Sequence, residues 1–190
     1  MQCAIDDYEH GKLLSALLHA CAAVDGTGSK LFPKAPNRDR FVGTMDQCVW
    51  LMEPMLAIGV NLSETEFTWI KLDKRQPRFA EIVYEIFRCN LAHGTEVPQG
   101  FSIELHKSDQ WRSFSIAPQE LILPDTLIFA LLAIAVFSHV NADQRIGAAY
   151  HLSHGTRRFI IDEWWGRESE VQPYFSQVAI PRVTMKFSGQ

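Results

Sequence analysis

In the stretch YEIFRCNLAHGTEVP, residues 84 to 98, an arginine and a histidine form the pair Arg88-x4-His93, with Cys89 and Asn90 between them. The Arg88 guanidinium is a permanent cation whose fork matches phosphate oxygens, and an imidazole changes protonation near neutral pH. Phosphoryl transfer without a metal needs such groups: the histidine moves a proton and the arginine stabilises charge growing on the phosphoryl oxygens. Spacing alone carries little weight, because a chain of this composition yields about 0.4 such pairs by chance. The plainer reading has His93 capping carbonyls at a helix end and Arg88 in a salt bridge.

The element that positions the pair is a helix. It is predicted to begin near Arg78, to carry Phe79, Ile82, Val83, Ile86 and Phe87 on its inner face, and to end at His93 before Gly94. The helix dipole at that end favours the imidazolium form of His93. At 3.6 residues per turn, Arg88 and His93 lie about 140° apart around the axis, so one helix does not aim both at one atom. A two-fold partner presenting the same helix end would bring two copies of each group into one cleft, and a homodimer is therefore expected.

Four helices frame the expectation. The first covers residues 5 to 24, with Leu13, Leu14, Leu17, Leu18 and Cys21 at helical spacing and Gly26 as its stop, followed by a loop DGTGSKLFPKAPNRD. The second starts with Asn37 as N-cap and runs toward Pro54, the third holds the Arg-His pair, and the fourth is a buried helix over 125 to 140. LSETEF has the Ser-x-x-Glu form of a capping box, and a short helical piece is predicted over 142 to 152. Phe101, Ile103, Leu105, Phe114 and Ile116 alternate with polar residues and predict a β-hairpin over about 100 to 117. RRFIID and VAIPRVTMKF look like short strands, the latter held to an edge by Pro181.

RCNLAHG at the end of a long helix in a four-helix arrangement resembles the Arg-x4-His motif of HEPN domains, the higher eukaryotes and prokaryotes nucleotide-binding family. AAVDGTGSKLFPKAPNRDRFV is similar to the helix-loop-helix openings of bacterial members, and the resemblance covers residues 5 to 140. It implies a mainly α fold, a HEPN-like four-helix bundle over 1 to 150 with an inserted hairpin, and a mixed C-terminal extension, 151 to 190, packed on the same domain. It implies a metal-independent endoribonuclease without a cofactor, active at a dimer interface, with Arg88 and His93 as the catalytic pair. The alternative is a non-catalytic member that binds RNA or nucleotide or docks a protein partner such as an antitoxin. Active members commonly place Asn, Asp or His directly after the arginine; here Cys89 follows and Asn90 comes next, and these two stand as supporting residues.

Other residues offer competing chemistry. Cys89 and His93 are four apart on one helical face, the geometry of a thiolate–imidazole pair, although a free cysteine is usually a small core hydrophobe. His151 and His154 could face a metal together with Asp143 or Asp162, against the simpler reading of a solvated turn. Lys107, Trp111 and Arg112, with the TRR run at 156 to 158, are the candidates for RNA contact through phosphate and stacking. Trp164 and Trp165 sit among acids, which fits packing or a partner surface better than RNA.

Composition bounds these readings. With 47% hydrophobic and 21% charged residues in a chain of 190, one domain with its own core is expected. A formal charge of −4 excludes a broad basic nucleic-acid face while allowing a local one. Cys3, Cys21, Cys48 and Cys89 are scattered without CxxC spacing, MQCAIDDYEH does not resemble a secretory leader, and a cytoplasmic protein is expected. The apolar run LIFALLAIAVFSHV is too short for a membrane span, which takes roughly 20 residues.

Overall fold

The computed structural model describes residues 1–105, 115–117, 119–147, 150–178 and 182–187. The fold is mainly helical with small sheets. Where one helix is expected over 5 to 24, two are found, α1 (Gln2–Glu9) and α2 (Leu13–Leu31). The chain turns between them at Gly11, which holds a φ of 73°, a conformation open to glycine at little cost.

The expected stop at Gly26 is not used, and two thirds of the predicted loop, residues 25–31 and 37–39, is helix. A Cβ on Gly28 would lie 2.8 Å from the Arg40 carbonyl oxygen and 2.8 Å from Thr44 Oγ1, so α2 passes hard against α3 (Asn37–Gln47). Glycine costs about 1 kcal/mol in a helix, and here the close helix crossing offsets it. Asn37 is the first residue of α3, Pro36 taking the cap position. A break at Cys48 separates α3 from α4 (Val49–Leu56), which continues past Pro54.

The third predicted helix appears as one rod in three stretches: α5 (Phe79–Ile82), a wide π segment (Val83–Arg88), and α6 (Cys89–Ala92). It starts on a capping box in which Arg78 N–H donates to Glu81 at 2.9 Å. His93 closes it, and Gly94 leaves at a φ of 68°. The fourth, α7 (Thr126–Phe137), is buried along nearly its whole length and packs against α2 and α4, as its apolar sequence demands.

The strands revise the reading of the second half. They are β1 (Glu66–Phe67), β2 (Phe101–Glu104), β3 (Ser115–Ala117), β4 (Glu120–Pro124), β5 (His151–His154), β6 (Arg157–Ile160) and β7 (Lys186–Phe187). Among the described residues β2 and β3 do not pair as the hairpin expected over 100 to 117. β4 lies between β2 and β3, parallel to the first and antiparallel to the second, because Leu121 and Leu123 are buried and draw ELILP into the sheet. LSETEF makes no helix: Glu66 pairs with Lys186 and Phe67 with Phe187, whose rings stack at 5.7 Å. No helix spans 142 to 152 among the described residues; β5 pairs with β6 there, the strand expected from RRFIID.

The mixed C-terminal stretch contains two helices, α8 (Ile161–Trp164) and α9 (Glu168–Val178). Their Trp164 and Phe175 close an aromatic cluster with Phe137 of α7 and Phe159 of β6, at 5.0 to 6.5 Å between centroids. Lys107, Trp111, Arg112 and Pro181 lie outside the described residues.

Candidate functional site

The Arg-His pair sits where the rod leaves the body of the protein. Arg88 is the last residue of the π segment, and its side chain, 20% exposed, reaches across to α2. Its Nε donates to Asp25 Oδ2 at 3.0 Å, and its Nη2 lies 2.9 Å from the same oxygen as an ion-pair contact. Below the guanidinium lies the Tyr84 ring, one turn earlier on the same helix, with 5.3 Å from Cζ to the centroid. The fork is therefore fixed from two sides, by a carboxylate at its edge and a ring at its face.

Electrostatics around the arginine follow from burial. Burial pushes the Asp25 carboxyl above its ordinary value, and Arg88 pulls it the other way. Burial likewise raises the Cys21 thiol, one turn before Asp25 on α2, with the Asp25 charge adding to it. The Tyr84 phenol is raised first by burial and then by the neighbouring Cys89. Arg88 is thus a cation beside three groups, Asp25, Cys21 and Tyr84, whose values burial raises.

His93 is exposed at the helix end, and its backbone N–H donates to the Cys89 carbonyl at 3.1 Å. Among the described residues no hydrogen bond or ion pair joins Arg88 to His93. The structure therefore keeps both residues on one rod and does not bring their side chains together.

Asn90 does not support Arg88. Its Nδ2 donates to the Ile86 and Glu85 carbonyls at 2.8 and 3.2 Å, where the widened turn leaves backbone acceptors, and its Oδ1 accepts from Thr95 at 3.0 Å. Cys89 is a half-buried free thiol against Tyr84. The support comes instead from Asp25, which lies 63 positions earlier in the chain and carries no local signal in the sequence.

The opposite end of the rod carries a second charged group. Glu81, with a side chain only 3% exposed, accepts two bonds from the Arg75 fork and one from Arg38, all at 2.7 Å. Arg78 binds Asp46 beside it. The Arg75 fork, with Arg38 and the Arg78 backbone N–H, holds the Glu81 carboxyl far below the usual carboxylate range. Every guanidinium here faces a carboxylate, so this cluster braces the start of the rod.

The metal alternative loses its ligands. His151 and His154 lie on opposite faces of β5, one exposed and one buried, and His154 Nε2 sits 3.2 Å from the Pro54 carbonyl oxygen. Asp162 accepts from the Ile146 and Gly147 amides and from Trp165 Nε1 at 2.8 to 3.1 Å. Arg157 of the TRR run lies over the rings of Tyr174, Phe159 and Trp164, at 4.6 to 5.5 Å. No helix among the described residues is long and apolar enough to cross a membrane.

Comparison with known proteins gives one family model, Rv1289, which matches residues 1–190. The chain is 31% identical over 155 residues to "Uncharacterized protein Mb1320" of Mycobacterium bovis and to "Uncharacterized protein Rv1289" of Mycobacterium tuberculosis. The aligned region covers 80% of this chain and 74% of each relative. No solved structure matches.

Proposed function

The chain belongs to the Rv1289 family, and for it we propose a metal-independent endoribonuclease that works as a homodimer with a HEPN-like helical body. The observation that carries this reading is the fixed Arg88 fork, set by Asp25 and Tyr84, five residues before a solvent-open His93. A fork held before substrate arrives loses little freedom on binding a phosphate, which is the condition for stabilising charge in a transition state. Asp25 also supplies the polar support that Cys89, directly after the arginine, does not.

In the proposed reaction an RNA 2′-oxygen attacks the adjacent phosphorus, and the bond to the 5′-oxygen breaks. His93 takes the hydroxyl proton or returns one to the leaving oxygen, and Arg88 faces the phosphoryl oxygens. The products are a 2′,3′-cyclic phosphate and a 5′-hydroxyl. The 140° offset on one rod assigns the arginine of one protomer and the histidine of its partner to one cleft. The four free cysteines fit work in a reducing cytoplasm.

A second reading, a module that binds RNA, nucleotide or a protein such as an antitoxin without cutting, draws on one observation: Asp25 already meets the charge of Arg88. The test is incubation of purified protein with labelled RNA in EDTA, beside a measurement of mass in solution. Expected are a dimer and cyclic-phosphate ends, with cleavage falling by about 10²-fold or more in His93→Ala. Absence of cleavage, or cleavage unchanged in His93→Ala, would overturn the enzyme reading. RNA retained without cleavage would select the second.

A further inference from the structure

A cavity of about 380 Å³ opens between α1, α4, the start of α7 and β5. Its volume falls in the range of small-molecule sites, about 300 to 1,000 Å³. Ile5 and Met55 form an apolar floor, and the Tyr8 and Phe129 rings meet edge to face at 4.6 Å on one wall. On the other wall β5 presents His151 and Ser153, two positions apart and both exposed, while Leu152 and His154 turn to the core.

The polar groups have a bias. Glu9 and Asp125 are its carboxylates, and none of the described residues that line it is a lysine or arginine. Tyr8 donates to Asp125 Oδ2 at 2.5 Å, which fastens α1 to the start of α7, and Tyr150 donates to Asp6 at 2.9 Å as a second fastening of the same helix. Glu9 makes no ion pair among the described residues. Thr126, also in the lining, carries a buried hydroxyl with no hydrogen-bond partner among the described residues.

We propose that this cavity is a binding site for a small organic ammonium ion with an apolar or aromatic body. The carboxylate of Glu9 meets the charge, and the Tyr8 and Phe129 rings take the cation and its body. Among the described lining residues an anion meets the Glu9 carboxylate and no lysine or arginine. The site is independent of the Arg-His pair, and it needs no chemistry from it.

The experiment uses the full chain at about pH 8, above the range in which histidine ordinarily titrates. Phenethylamine, 2-phenylethanol and phenylacetate, which share one body and differ in charge, are titrated by calorimetry. The ammonium is expected to bind at about 1 mM or tighter, roughly tenfold tighter than either analogue. Glu9→Lys, an exposed change, should abolish the preference. Ser153→Trp fills the mouth from the exposed face of β5 and should remove binding with the thermal midpoint unchanged. Equal binding of ammonium and alcohol, phenethylamine binding that survives Ser153→Trp, or no saturable binding at all would each overturn the proposal.

Discussion

A double-mutant cycle on Asp25 and Arg88 tests the brace on which the candidate site depends. The two residues share one hydrogen bond at 3.0 Å and an ion-pair contact at 2.9 Å, and their side chains are 28% and 20% exposed. A hydrogen bond to a charged group contributes about 1.5 to 3 kcal/mol when buried, and the remaining solvent access lowers that. Because a single hydrogen bond joins them, a coupling energy of about 1.5 kcal/mol is expected between Asp25→Asn and Arg88→Met. Each single change should destabilise by about 1 to 2 kcal/mol, since it leaves the other group in a half-buried pocket without its partner. The double change should cost less than the sum, because burial already works against the Asp25 carboxylate. In a chain of this size the single variants correspond to about 2 to 8 °C in thermal midpoint. Urea unfolding of the four proteins, with equal m-values as the check on a two-state transition, gives the coupling directly. Coupling below about 0.5 kcal/mol would refute the reasoning, because the guanidinium would then not be held by Asp25.

Glu81→Gln should destabilise by about 2 kcal/mol at neutral pH, the partner arginines being 34% and 48% exposed and so partly solvated. The Glu81 carboxyl is held below its unfolded value, so its contribution is full above about pH 4.3 and is lost as pH falls further. Acid titration of thermal stability should therefore be steeper in the parent than in Glu81→Gln, and parallel curves would contradict the brace. Gly28→Ala should destabilise by about 1 to 3 kcal/mol, since its Cβ would stand 2.8 Å from the Arg40 carbonyl oxygen. Helix propensity alone predicts the opposite sign, about 1 kcal/mol of stabilisation, so a thermal scan separates the two accounts.

The rod and its end were legible in the sequence because both signals are local. Apolar residues at helical spacing mark its inner face, and Gly94 marks its stop. The same rule failed at Gly26, which lies inside α2, while the use of Gly28 in the close approach to α3 is revealed only by the tertiary contact. ELILP was hidden because a short apolar run before a helix fits either element, and its partners β2 and β3 decide the matter. β1 pairs with residues 120 positions away, which no window can see. In the site, Arg88 and His93 were legible as types and spacing. Asp25 was not, because a helix-to-helix ion pair leaves no periodic trace, and neither was the turn of the Asn90 amide back onto its own helix.

The π segment Val83–Arg88 is in effect a one-residue insertion absorbed without breaking the rod. Everything after it is rotated by about 100° relative to an uninterrupted α-helix. The direction in which Arg88 and His93 face is therefore set upstream, by a register choice, and is separable from the packing of Phe79 and Ile82 that anchors the start. Removing a single residue from that stretch would leave a helix of good length and turn its chemical end toward a different neighbour.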